Sequence, residues 1–405
     1  MCKPIVLMKK LAFLVLAAVM TACSTETTET TDSPKTNSED SKTVVEVEKP
    51  EYPEDRKFND FADYIAGIEG TEGSSLKGLE SSSTWQNYKT AMDGVWKTTN
   101  EKLPTMKDWS STEVNQGAGT LFYPFSGPDF LHADVFFPEH ENIVMIALEP
   151  IGTFPNMVEK SEAEKDGIYL NGVRKSLNMI LGKSFFRTIA MAADFKGEVD
   201  GNLPVLMQFM KRTNHEVMYQ EAVAMNPDGT LTTDMSNNSD STYVGNRYYF
   251  KREGSDVVRT LTYFAVNLQN MPYVSRGGLV AKGLDTRTDL VAYLEGIDMK
   301  STYLKSASYL MHRPTFSIIR NIILDNSEFV LQDDSGIPIQ YFDQNKWDLT
   351  FYGNYSFPIS LFAERHQEDL KNVYLTGGDN VKSLPFGIGY QYRKGTSNLM
   401  KAVKK

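Results

Sequence analysis

Only two cysteines occur in this 405-residue chain, at positions 2 and 23, so everything beyond residue 23 must fold without a thiol. A disulfide scaffold and a cysteine-ligated structural zinc are both excluded for that part. So are a cysteine nucleophile and a dithiol redox pair. What holds the body together must therefore be apolar burial. With 41% hydrophobic and 23% charged residues, the composition is that of a globular protein rather than a disordered one. The 52 acids exceed the 42 bases, giving a formal net charge of −10. A general nucleic-acid binder needs a basic footprint for the phosphates, so no nucleic-acid partner is expected. The length allows two or three domains, or one large one.

The N-terminus says where the chain goes. Lys9 and Lys10 precede a short apolar run, Leu11 to Met20. Ten residues are too few to span a bilayer, which takes roughly 20 in a helix. A basic start, a short apolar stretch and small residues before a cut describe an export signal. Met8 is the tighter start for it, which places Cys2 in a dispensable extension. The segment Met20-Thr21-Ala22-Cys23 resembles a bacterial lipobox, with Met where that family usually has Leu. The resemblance implies cleavage before Cys23, diacylation of its sulfur (palmitate-type chains) and acylation of its new amino group. Two or three acyl chains give stable anchoring where one gives only marginal binding. Residues 1–22 are thus read as a lipoprotein signal peptide and Cys23 as the lipidation site.

Residues 23–51 read as an acidic tether. From Ser24 to Glu51 there is no aromatic residue, and eight acids stand against three lysines, a net of −5. Low hydrophobicity with like charges keeps such a segment extended and solvated. Ser24 directly after Cys23 resembles lipoproteins sent to the outer membrane of Gram-negative bacteria. The acid-rich start resembles surface-exported lipoproteins of the Bacteroidetes type. Both periplasmic and surface-facing display remain open at this level.

The body, residues 52–405, opens with helical spacing at Phe58, Phe61, Ala62 and Ile65. A second stripe, Trp85, Tyr88, Met92, Val95 and Trp96, follows the cap candidates Ser82 and Ser83, and reads as a core face rather than a ligand platform. Strands are expected at 120–125 and 143–149, with Ser126-Gly-Pro-Asp129 opening a helix and Pro128 at its first position. Further helices are expected at 170–186, 203–212, 290–294, 302–310, 316–324 and 359–370. Strands are expected at 216–224, 329–332, 348–352 and 384–392, with a hairpin of 244–251 and 257–267 around Glu253-Gly-Ser-Asp256. The polar run 232–242 is a candidate boundary between two lobes. The order is neither a strict βαβ alternation nor an all-β run. The fold class expected is α+β, a mixed or mainly antiparallel sheet with helices packed around it after an N-terminal helical segment.

Chemistry-bearing motifs are few. None of the five histidines lies in His-Glu-x-x-His, and neither a Gly-x-Ser-x-Gly elbow nor a phosphate-binding Walker loop occurs. No cofactor and no metal ion are expected. Asp129 and His132 share a helix face at i, i+3, near Asp134 and His140. They read as a helix cap with a hydrogen-bonded imidazole, or less simply as nitrogen and oxygen metal ligands. In Gln332-Asp333-Asp334-Ser335 a strand runs into a polar turn. Turn chemistry accounts for Asp, Ser and Gly there. Adjacent strand residues point to opposite faces, so Asp333 and Asp334 do not pair by themselves. Glu149, at the end of another strand, would complete a two-carboxylate glycosidase arrangement if it came within roughly 5–10 Å. Gln332, Asp333, Asp334, Ser335, Glu149, Ser126, Asp129 and His132 are therefore the candidate functional residues. Arg247-Tyr-Tyr-Phe250 and Tyr390-Gln-Tyr-Arg393 place Tyr beside Arg on expected strands, faces that can stack sugars or bind peptide, though aromatics are also common in any strand.

The segments Phe122–Asp129 (FYPFSGPD), Ala147–Gly152 (ALEPIG) and Leu331–Pro338 (LQDDSGIP) resemble a family of bacterial secreted and lipoprotein sequences of unknown function. The resemblance covers most of the body. It implies one continuous unit and supplies no catalytic residue. Two functions follow from the sequence. The first is a membrane-anchored envelope lipoprotein whose body binds a glycan, a peptide or an envelope protein. The alternative is a hydrolase of envelope or extracellular polymers, using Asp333 or Asp334 with Glu149 or His132.

Overall fold

The computed structural model describes residues 51–114, 119–186, 198–236, 243–274 and 280–405. The expected signal peptide, Cys23 and all but the last residue of the expected tether lie outside the described residues. Residues 51–405 form one compact unit.

Two helices come first, α1 (Arg56–Ala66) and α2 (Ser83–Glu113). Both apolar stripes face inward, and Trp85, Met92 and Trp96 are fully buried. Ser82 caps α2, its hydroxyl accepting from the Trp85 amide. The chain then alternates through β1 (Thr120–Pro124), α3 (Phe130–Phe136), β2 (Asn142–Ala147), α4 (Met157–Glu162), α5 (Asp166–Lys183) and α6 (Leu203–Arg212). Strands β3 (His215–Met225), β4 (Leu231–Thr232), β5 (Val244–Arg252) and β6 (Val258–Ala265) follow. A two-residue ribbon, β7 (Tyr273–Val274) with β8 (Val280–Ala281), stands apart from the main sheet. The remainder comprises α7 (Thr288–Gly296), β9 (Met299–Leu304), α8 (Ser317–Asn326), β10 (Phe329–Gln332), β11 (Trp347–Gly353), α9 (Glu368–Thr376), β12 (Val381–Lys382) and β13 (Asn398–Lys404).

Eleven strands make one mixed sheet, in the order β12-β11-β13-β10-β9-β1-β2-β6-β5-β3-β4. The fold is α+β. Its centre, β10-β9-β1-β2-β6, is parallel throughout. Antiparallel strands extend it on both sides, with β5, β3 and β4 beyond β6 and with β13 beside β10. Successive side chains alternate between two faces. Tyr123, Met145, Tyr263 and Leu331 pack under α1, α2, α3, α5 and α6. Phe122, Val144, Phe264 and Val330 pack under α7, α8 and α9. The chain passes from β1 to β2, then returns to the other side of β1 with β9. The order therefore reverses between β1 and β9, the kind of crevice in which open α/β sheets bind ligands.

Several expected elements differ. Residues 302–310 are not a helix; Thr302–Leu304 end strand β9, after which Ser306, Ser308 and Tyr309 adopt left-handed φ of 52°. A central strand buried on both faces has no period-2 signal, so its apolar run mimics a helix. Residues 384–392 form a loop with one short turn at Gly389–Gln391, and the final strand is β13 instead. Residues 359–370 divide into a short turn, Ser360–Arg365, and the start of α9. Pro128 lies outside α3, because Asp129 is its cap. At the 232–242 segment, β4 and β5 both pair with β3, so one sheet continues across it. Among the described residues, no helix is long and apolar enough to cross a membrane.

Candidate functional site

The parallel strands bring most of the candidate residues to one edge of the sheet. Phe122–Asp129 leaves the carboxyl end of β1, Ala147–Gly152 that of β2 and Leu331–Pro338 that of β10. Between β1 and β10 lies β9, which contributes Lys305 and Ser306.

Asp129 is the hub. It caps α3, its Oδ1 accepting from the His132 amide at 3.3 Å. The same carboxylate lies 2.9 Å from His132 Nδ1 and accepts from Lys305 Nζ at 2.6 Å and from the Tyr123 hydroxyl at 2.7 Å. All four side chains are buried. Burial works against the charge on Asp129, but His132 and Lys305 more than offset it and hold the carboxyl well below the usual range. Burial in turn lowers the pKa of His132 and of Lys305. The imidazole is therefore neutral at pH 7. Nδ1 faces both the Asp129 carboxylate and, at 3.1 Å, Lys305 Nζ, while Nε2 points away from both. The polar atom facing Nε2 is the Ser184 hydroxyl, at 3.5 Å. Ser184 ends α5 in a left-handed conformation (φ 65°), and Lys305 donates to its carbonyl.

The acidic turn has a different role. The Gln332 side chain replaces a missing strand partner, donating to the Ile337 carbonyl at 2.6 Å and accepting from the Ile337 amide at 2.9 Å. Asp333 accepts from the amides of Ser335 and Ser306, at 3.0 and 2.9 Å. Ser335 Oγ donates to Asp333 and accepts from the Ala307 amide. Asp334 accepts from the Tyr309 hydroxyl and from Asn398 Nδ2. These bonds clamp the turn after β9 against those around β10 and β13. Burial raises the pKa of Asp333. Burial and the neighbouring Asp333 raise that of Asp334 to about 7.

Glu149 follows another strand, β2. It is buried after β2, and its carbonyl accepts from the Tyr263 hydroxyl at 3.1 Å. Three strand spacings separate β2 from β10, roughly 14 Å. The backbones of β2 and β10 are thus not neighbours in the sheet. Ser126 bonds back to the Gly127 carbonyl at 2.8 Å, which makes it a turn residue. Among the described residues, no group of three or more His, Cys, Asp or Glu side chains is placed to hold a metal ion. Sequence reasoning passed over Tyr123, Ser184, Tyr303, Lys305 and Ser306. Lys305 and Ser306 were hidden inside a segment that reads as a helix. The hydroxyls of Tyr303 and Ser306 are buried with no hydrogen-bond partner in the protein.

The backbone at this edge is strained. Phe125, Ser184, Ser306, Ser308 and Tyr309 all have positive φ without being glycine. Each such residue costs of order 1–3 kcal/mol and persists only where surrounding structure enforces it.

A second feature lies on the α7 side of the sheet. A groove of about 660 Å³ crosses the ends of β1 and β2 nearest Thr120 and Asn142, and runs over β5 and β6. Arg247, Tyr249, Thr260, Thr262 and Asn142 line it from the sheet, with Tyr293 of α7 and the Asp228–Leu231 turn as its walls. Tyr249 donates to Glu221 at 2.9 Å, and Arg247 lies 3.5 Å from the same carboxylate.

No protein-family model, no curated protein and no solved structure matches this chain.

Proposed function

We propose that the chain is a cell-envelope lipoprotein, held to the outer membrane of a Gram-negative bacterium by acyl chains on Cys23, whose body binds a glycan in the groove beneath α7. The leader, the single cysteine beyond it and the acidic tether support the anchor. The groove carries the binding reading. Its volume suits a ligand of a few sugar rings, and sites of this kind run from about 300 to 1,000 Å³. Its floor is rich in hydroxyls, with Tyr249 to lie against a sugar ring and Arg247 held by Glu221 to donate to ring oxygens. Glycans rank ahead of peptides and envelope proteins because Asn142, Arg247, Tyr249, Thr260 and Thr262 supply hydrogen-bonding groups along the groove.

Calorimetric titration of the purified protein with soluble oligosaccharides from bacterial envelopes tests the groove. Binding that weakens at least 10-fold in Tyr249→Ala is expected, about 1.4 kcal/mol. Binding that is absent, or indifferent to that change, rejects the groove. Metabolic labelling with an acyl probe tests the anchor: wild type takes label and Cys23→Ala does not, whereas equal label in both removes the lipoprotein reading.

A further inference from the structure

We propose that Asp129, His132 and Ser184 form a second functional site, a hydrolytic centre acting on esters of short acyl groups. It is independent of the glycan groove and lies at the opposite, carboxyl-terminal edge of the parallel strands.

The three groups are in the order that nucleophilic hydrolysis requires: a carboxylate that orients, an imidazole that accepts a proton, and a hydroxyl that attacks. Asp129 lies 2.9 Å from Nδ1, and Ser184 Oγ lies 3.5 Å from Nε2, a looseness usual before substrate binds. Lys305 positions both ends at once, through the Asp129 carboxylate and the Ser184 carbonyl. The left-handed backbone of Ser184, at a helix end where glycine is the usual residue, fixes where its hydroxyl stands. A narrow cleft reaches the pair. His132 and Ser184 form its floor, Tyr392 and Gly387 one wall, and the exposed Lys102 and Gly182 its mouth. Its volume is about 30 Å³, against the roughly 10–15 Å³ that one enclosed water needs on the same measure. That width admits the reacting end of a short acyl group, such as acetyl, and leaves the alcohol portion outside.

The chemistry balances as two transfers. Ser184 Oγ bonds to the acyl carbon as its proton passes to His132 Nε2. The carbon–oxygen bond to the alcohol breaks, and the alcohol leaves with that proton. Water then bonds to the acyl carbon, giving a proton to His132. Breakage of the acyl–serine bond returns that proton to Ser184 and releases the carboxylic acid.

The test uses the full-length protein with a fluorophosphonate probe, followed by peptide mapping and by hydrolysis of p-nitrophenyl acetate and octanoate. A single adduct on Ser184 is expected, with loss of label in Ser184→Ala and in His132→Gln. Acetate turnover should fall by roughly 100-fold or more in Ser184→Ala, given what single triad members contribute elsewhere. Octanoate should turn over at least 10-fold more slowly than acetate. Mapping the adduct in wild type needs no variant, so a misfolded mutant does not blunt the result. Absence of an adduct, an adduct on another residue, or equal labelling of wild type and Ser184→Ala overturns the proposal. Octanoate hydrolysed faster than acetate overturns the short-acyl assignment.

Discussion

Helix α3 carries a buried aspartate towards each end, and the two sit in opposite kinds of surroundings. Asp134 Oδ1 receives Arg259 at 2.6 Å and Arg252 at 3.1 Å, with His215 Nε2 at 3.3 Å. Arg259 also donates to the carbonyls of His140 and Phe137, so its fork is spent on tying α3 to β6. Asp129 instead meets one lysine, one neutral imidazole and one phenol. Its network ends on His132 Nε2, which faces the Ser184 hydroxyl at 3.5 Å. Left-handed residues surround the Asp129 end, at Phe125, Ser184 and Ser306. A buried ion pair is thus weak evidence of function by itself. The informative difference is the enforced backbone strain, because Asp134 also keeps an unpartnered Oδ2 and lines a cavity of about 480 Å³.

Three substitutions press on that contrast. Asp134→Ala should have the largest effect on stability. It strands Arg259 in the interior, where an uncompensated charge costs about 3–5 kcal/mol. Urea unfolding measures it, and a loss below about 1 kcal/mol would show that the Asp134 network is not the brace described.

The acid turn should respond to pH in a set direction. The folded pKa of Asp334, about 7, lies above its ordinary 3.8, so the folded state binds the extra proton. The stability it supplies is full below about pH 4 and is lost as pH rises towards 7, at up to about 1.4 kcal/mol per pH unit. Unfolding midpoints of wild type should therefore fall across that window relative to those of Asp334→Asn. Parallel profiles would show that Asp334 titrates like an exposed carboxyl.

Gly389→Ala should cost about 1–3 kcal/mol, because Gly389 has φ +70° and its added Cβ would collide with Asp333 Oδ2. Thermal melting reads this, and an unchanged midpoint would mean that the Asp333 clamp yields easily.

Legibility in the sequence followed the physics of burial. Amphipathic helices α1 and α2 and the β5–β6 hairpin have one wet face, so their periodicity shows. Strands β9 and β13 are flanked by strands on both sides and have helices over the sheet's faces, and they show no clean alternation. The Asp129–His132 cap was legible from its i, i+3 spacing. Ser184 and Lys305 lie 52 and 173 residues away from His132 and could be joined to it only through the order of strands. Asp333 and Asp334 stood out as a polar cluster, yet their bonds are mostly to the surrounding turns. Chemical conspicuousness and a free reactive atom are separate properties.

Strand β13 has a consequence for the timing of assembly. It lies between β10 and β11, and β11 with β12 reaches the rest of the sheet only through it. Its first residue, Asn398, also supplies the bond to Asp334. Until residues 398–404 are made, the segment 347–382 has no neighbour in the sheet and the Asp334 clamp is one donor short. Closure then waits on pairings distant in sequence, which are slow to form. A chain built this way stays loose while its earlier parts are being made, and it locks only once nearly all of its length is available.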